Sequence, residues 1–87
     1  MKKYIKDYFE FFGYCEDQYV PCEVCRNPAQ DIHHIIYKSQ GGKDEVGNLI
    51  GLCRDCHDKA HFKKEPYLYS QELQDIHNRF LEKSKKN

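Results

Sequence analysis

Apolar residues recur with helical spacing near both ends of the chain and with strand character in the middle. Ile5, Tyr8, Phe9 and Phe12 stand at i, i+3, i+4 and i+7, a stripe that predicts an amphipathic helix over about 2–12 with Gly13 as its stop. At that spacing the aromatics read as core packing rather than as a platform for stacked bases. Ile32 to Tyr37 is rich in β-branched and aromatic residues and predicts a short strand. Gln40-Gly41-Gly42-Lys43 opens a loop that runs to Gly47, and Asn48-Leu49-Ile50-Gly51-Leu52 reads as the returning strand of a hairpin. Arg54 to about Lys64 should be helical, ending before Pro66. Leu73, Ile76, Phe80 and Leu81 then repeat at i, i+3, i+7 and i+8, predicting a last helix over about 70–84 capped by Ser70. His77 falls beside that stripe and reads as a surface or boundary residue.

At 87 residues the chain has room for one domain with a modest core, and a core of that size usually needs a staple. Five cysteines offer one. Four form two pairs, Cys22-x-x-Cys25 and Cys53-x-x-Cys56, while Cys15 stands alone and reads as a small buried apolar residue. No stretch approaches a membrane span, and Met1-Lys2-Lys3-Tyr4 lacks the apolar run of a secretory signal. The expectation is therefore a cytoplasmic, reducing compartment, with the cysteines acting as thiolate ligands rather than as disulfides. Two close pairs supply four soft donors to a tetrahedral Zn²⁺ at low loop-closure cost, a structural zinc knuckle.

The thiolates leave His33, His34, His57 and His61 for a second site. His57 and His61 are four apart in the predicted helix, so they share a face and can bind one metal, and the helix begins at the second cysteine pair. A third ligand must come from the strand carrying His33-His34. Neighbours on an ideal strand point to opposite faces, so both can serve one site only if the backbone twists or if one reaches the metal and the other the substrate. Either could instead be a packed, hydrogen-bonded core histidine. Asp31 reads as a surface carboxylate, its alternative being an acceptor for a ligand's ring N–H.

Net charge is zero, from 14 basic and 14 acidic residues, which counts against strong nonspecific nucleic-acid binding. The distribution softens that objection. Lys38, Lys43, Lys59, Lys63 and Lys64 lie close in sequence to the histidines, either as solvated surface or as a phosphate-binding rim.

Cys22-x-x-Cys25, Asp31-Ile32-His33-His34-Ile35, Gly41-Gly42, Asn48-Leu49 and Cys53-x-x-Cys56-His57-x-x-x-His61 together resemble the cysteine-containing HNH endonucleases. The resemblance covers roughly residues 20–64. It implies an α+β fold with a ββα-metal (HNH, or His-Me finger) core and a four-cysteine zinc knuckle. The N- and C-terminal helices lie outside the match and flank it, and the chain reads as a single nuclease domain over 1–87. It implies that His33, His57 and His61 ligate the catalytic metal, that His34 is the general base, and that Asn48 orients it by tying down the hairpin. Cys22, Cys25, Cys53 and Cys56 would hold the structural zinc. Many relatives have Asp followed by His where this chain has His33-His34. Three imidazole ligands favour Zn²⁺, Ni²⁺ or Mn²⁺ over Mg²⁺ as the tighter binder, while the metal that supports turnover is left open.

The chemistry expected is metal-dependent hydrolysis of DNA phosphodiesters, with His34 taking the proton from water, one divalent ion (Mg²⁺, Mn²⁺, Ni²⁺ or Zn²⁺) as Lewis acid, and 5′-phosphate and 3′-hydroxyl ends. Arg54, Lys59 and Lys63 are candidate phosphate contacts, which grip the backbone with little sequence preference. DNA is favoured over RNA by the resemblance alone, and nothing in the sequence sets monomer or dimer. The alternative is a zinc module that binds nucleic acid or protein without cleaving, which would have no use for His34 or Asn48. A further variant places His57 or His61 in the knuckle in place of a cysteine. A zinc deaminase would need His-x-Glu beside Pro-Cys-x-x-Cys, and Pro21-Cys22 has no such partner.

Overall fold

The computed structural model describes residues 2–15 and 18–85. Helix α1 (Lys3–Phe12) follows the predicted stripe and stops at Gly13, whose φ of 74° is the left-handed conformation that turns the chain so that Tyr14 N–H reaches back to Phe9 O, while Gly13 N–H bonds Glu10 O. The chain then forms the first cysteine turn, in which Cys22 N–H donates to Asn27 O at 2.7 Å and Arg26 adopts a positive φ of 72°. Strand β1 (Asp31–His34) pairs antiparallel with β2 (Leu49–Leu52), matching His33 to Ile50 and His34 to Leu49. Helix α2 (Arg54–Ala60) and helix α3 (Ser70–Lys85) complete an α+β fold, a two-stranded hairpin with a four-cysteine cluster, consistent with a ββα-metal zinc-knuckle core. No helix of the described residues is long and apolar enough to cross a membrane.

Every residue of β2 is buried because both of its faces are covered. On one side Ile50 and Leu52 pack with Cys22, Cys53, Cys56, Ala60 and Leu73; on the other Leu49 packs with Tyr8 and Val20. Strand alternation then divides the histidines. His33, opposite Ile50, lies on the side of the cysteines and α2, and His34, opposite Leu49, lies on the side of α1, where the Tyr4 ring meets it edge-on at 4.7 Å.

Three elements differ from the sequence expectation. Strand β1 ends at His34 rather than Tyr37, because Ile36 N–H and C=O pair with the Asn48 side chain instead of a facing strand. Helix α2 ends at Ala60 rather than Lys64: Phe62 takes a positive φ of 61°, and Lys59 O accepts from Phe62 and Leu68. Ser70 does not cap α3. Its hydroxyl donates to Ile35 O, and Glu72 reaches back to the Tyr69 N–H, the carboxylate half of a capping box.

Two side chains also differ. Cys15 is exposed, one residue past Tyr14, the last side chain of this segment to pack on the α1 core cluster, and its N–H is taken by the Gln18 side chain. His77 is fully buried, with Nδ1 2.8 Å from Glu23 Oε1 and Nε2 2.6 Å from Val46 O. A carbonyl only accepts, so Nε2 carries a hydrogen, and Nδ1 shares a further proton with the buried carboxyl. Tyr8 donates to the other Glu23 oxygen at 2.5 Å and accepts from Gly51 N–H at 3.2 Å. A Cβ at position 51 would stand 3.0 Å from that hydroxyl, so the glycine admits the ring. Burial, followed by the Glu23 charge and hydrogen bond, pushes the Tyr8 pKa far above its ordinary value, keeping it a donor.

This network ties α1, the first cysteine turn, β2 and α3 through groups that have lost their water. His77→Ala leaves the Glu23 carboxyl buried with the Tyr8 hydroxyl as its one remaining partner among the described residues, and should destabilise the fold by about 3–5 kcal/mol. Urea unfolding measures it, and an unchanged midpoint would show that the network does not hold the helices together.

Candidate active site

Cys22, Cys25, Cys53 and Cys56 converge from the two turns, with Cys25 Sγ 3.5 Å from Cys53 Sγ and 3.7 Å from Cys56 Sγ. A tetrahedral ion with Zn–S bonds of ~2.3 Å sets its sulfurs ~3.8 Å apart, so the donor set fits zinc. Burial, then the crowding thiols of Cys53 and Cys22, pushes Cys56 well above the ordinary thiol value, and burial raises Cys25 as well. Burial acts in the same direction on Cys22, but backbone N–H bonds from Cys25, Cys53 and Val24 bring it below that value. Four thiolates this close need a cation among them. Three of the four are buried in the main core, where this metal-binding cluster replaces apolar bulk.

A second cluster lies across β1. His33, from the strand, meets His57 and His61, from α2 and its C-cap, with one nitrogen of each ring within 4.8 Å of the others. The early end of α2 does not break the pair, because His61 still donates its N–H to His57 O at 3.1 Å. Their Nε2 atoms stand 3.0 Å apart, close to the separation of about 3 to 3.4 Å for two imidazole ligands of one ion. The outer nitrogens face oxygens: His61 Nδ1 lies 3.3 Å from Tyr37 Oη, and His57 Nδ1 3.3 Å from Asp31 Oδ2.

Asp31 is therefore not a plain surface carboxylate. Its Oδ2 is buried, 3.4 Å from Arg54 Nη1, and makes no properly angled hydrogen bond among the described residues. A small turn of the His57 ring would satisfy it and fix the tautomer that presents Nε2 inward. The donor set thus fits a divalent cation.

Burial, then the neighbouring His57, His61 and His34, lowers the His33 pKa from 6.5 to about 4, and burial lowers His57 as well, opposed by Asp31. An unfolded histidine gains a proton below about 6.5 while His33 stays neutral to about 4, so without metal at this cluster stability should fall as pH drops through that window. An NMR titration of the ring tests it; a midpoint near 6.5 would show that the site does not desolvate His33.

His34 stays outside the ligand group yet lines the same open depression of about 320 Å³, together with Tyr4, Asp31, His33, Tyr37, Lys38, His57 and His61. Its Nε2 lies 2.6 Å from Asp44 Oδ1. The alternation that separates the two histidines thus leaves one on each flank of a single concavity. Asn48 touches neither. Its amide oxygen accepts from Ile36 N–H at 2.8 Å, and its NH₂ donates to Ile36 O and Lys43 O at 3.0 Å each, fastening the two arms of the hairpin loop.

Arg54, Lys59 and Lys63 do not line the depression: Arg54 faces Asp31, and Lys59 pairs with Asp55 at 3.3 Å. Lys38 does line it, as do Tyr4 and Tyr37, which the sequence reading left without a role. Helical spacing assigned the aromatics of α1 to the core, and nothing in that pattern marks the residue at the helix's open end.

Residues 22–63 match the family model described as HNH endonuclease. The type IV methyl-directed restriction enzyme EcoKMcrA of Escherichia coli (strain K12) is 42% identical over 38 residues, 44% of this chain and 14% of that protein. Anaredoxin of Nostoc sp. (strain PCC 7120 / SAG 25.82 / UTEX 2576) is 40% identical over 42 residues, 46% of this chain and 55% of that protein. The matches thus cover a seventh of one relative and about half of the other. No solved structure matches significantly. Family and geometry together define a nuclease-type domain with a metal-binding cluster of four cysteines.

Proposed function

We propose that residues 1–87 act as one metal-dependent endonuclease unit that hydrolyses phosphodiester bonds in DNA. One observation carries the reading: three imidazoles converge on one point while a fourth, His34, faces the same depression without joining them. A plain zinc-binding module needs only the cysteines and gives no reason for that arrangement. His33, His57 and His61 would hold the divalent ion, which supplies Lewis-acid stabilisation of charge at the phosphate and the departing 3′ oxygen. Depressed pKa values keep His33 and His57 neutral near pH 7, the form in which imidazole donates a lone pair.

His34 takes the proton from the attacking water, whose oxygen bonds to phosphorus as the P–O bond to the 3′ oxygen breaks; the leaving oxygen takes a proton from solvent, giving 5′-phosphate and 3′-hydroxyl ends. Asn48 holds the loop that flanks His34, and the four cysteines hold zinc. Lys38, on the rim, is placed to meet a phosphate, whereas Arg54, Lys59 and Lys63 would contact the backbone only farther along the substrate.

Purified protein assayed on supercoiled plasmid with Mg²⁺, Mn²⁺, Ni²⁺ or Zn²⁺ added tests the reading. The expected result is nicking that depends on added metal, by protein that binds two ions per chain when both sites are filled. Absence of cleavage in every metal, by protein that retains its zinc, would favour the non-cleaving module.

A further inference from the structure

Asp44 is an exposed residue in the loop between the strands, with no place in the cysteine or histidine clusters, yet the loop is built to hold it. Gly42 N–H donates to Tyr37 O at 2.9 Å, and a Cβ at position 42 would fall 1.7 Å from Ile36 O, so only glycine permits this close return. Asn48 then fixes the next residue through Lys43 O at 3.0 Å. What these constraints deliver is the Asp44 carboxylate, with Oδ1 2.6 Å from His34 Nε2 and Oδ2 3.2 Å from Lys38 Nζ. The His34 side chain is only 14% exposed, and Tyr4 closes on the ring from α1, so the contact is not a loose surface pair. The hydrogen bonds from His34 and Lys38 hold the Asp44 carboxyl below the usual carboxylate range, so it is an anionic acceptor.

We propose that Asp44 is the positioning residue of the general base: it accepts the His34 Nε2 hydrogen, fixing the ring's tautomer and rotation so that Nδ1 keeps its lone pair for the attacking water. Nδ1 makes no hydrogen bond among the described residues, as that role requires. Asn48 and Gly42 then act on His34 through Asp44, two contacts away from the reacting atoms. Lys38 holds the second carboxylate oxygen and keeps the dyad from rotating. The inference rests on the nuclease reading for its catalytic half, while the tautomer can be read without turnover.

The test combines Asp44→Ala, Asp44→Glu, His34→Ala and the double variant Asp44→Ala/His34→Ala with ¹⁵N NMR of the imidazoles. Asp44→Ala should lower kcat about tenfold to a hundredfold, the range for a lost supporting hydrogen bond, and leave KM and metal content unchanged. Asp44→Glu should recover part of the loss, and the double variant should be no slower than His34→Ala. The His34 Nε2 hydrogen, sheltered by the carboxylate, should give a resolved proton signal that Asp44→Ala abolishes. Wild-type kcat in Asp44→Ala, or full additivity in the double variant, would overturn the proposal. If the wild type does not cleave, the nuclease reading fails separately; a His34 spectrum unchanged by Asp44→Ala would then overturn the positioning claim on its own.

Discussion

His34→Ala is expected to nick supercoiled DNA about 10²- to 10⁴-fold more slowly than the wild type, while folding and metal content stay as they were. The separation of effects follows from the fold. His34 lies across the strand from the ligand cluster, outside the buried core clusters, and its polar partner Asp44 is exposed and can be hydrated when the ring is removed. Truncation therefore opens neither a core cavity nor a buried unpaired charge. His33, His57 and His61 keep their positions, because β1, α2 and the α2 cap set them independently of His34. Three readings on one preparation check this: nicking rate, metal per chain and urea midpoint. Wild-type cleavage with unchanged metal content would refute the assignment of His34 as base. Lost cleavage together with a lowered midpoint would make its role structural.

Cys53→Ser is expected to do the reverse, abolishing the folded domain. Structural zinc in finger peptides contributes about 10–16 kcal/mol of apparent binding free energy, as much as the whole net stability of about 5–15 kcal/mol of an ordinary domain. Cys53 also sits where two functions meet: its Sγ lies in the sulfur cluster and accepts the Cys56 N–H at 3.4 Å, which begins α2. Without that start, His57 and His61 lose the helix that aims them. Circular dichroism and zinc content of the variant decide the matter, with chelation of the wild type giving the same collapse. A soluble, zinc-free Cys53→Ser protein that unfolds with the wild-type midpoint would refute a structural site.

Much of this was legible in the chain. The aromatic stripe of α1 became a packed helix ending at Gly13, and the apolar stripe beginning at Leu73 became α3, because amphipathic spacing determines which face a helix can bury. Cysteine pairs and a His-x-x-x-His spacing are local signals, and the structure gathers both into clusters. Boundaries were harder. The end of α2 depends on the positive φ of Phe62 and on Leu68 returning to the Lys59 carbonyl, contacts that lie outside any helical pattern.

Buried polar residues were the least legible. His77 and Glu23 are 54 positions apart, and a histidine beside an apolar stripe reads as surface until a distant carboxylate is shown to meet it. Asp31 was ambiguous for the same reason, its character being set by whether His57 and Arg54 fold over it.

Residue types and their spacing set the kinds of chemistry available: which side chains can be ligands, which of them form pairs, and which segments can be helix or strand. Their division of labour came from packing. Adjacent residues on a strand face opposite ways, so His33 joins α2 while His34 meets Tyr4 and Asp44. That partition depends on what covers each face of a two-stranded sheet. No residue type encodes it, because a side chain's partners across the fold are set by the elements packed around it rather than by its neighbours in the chain.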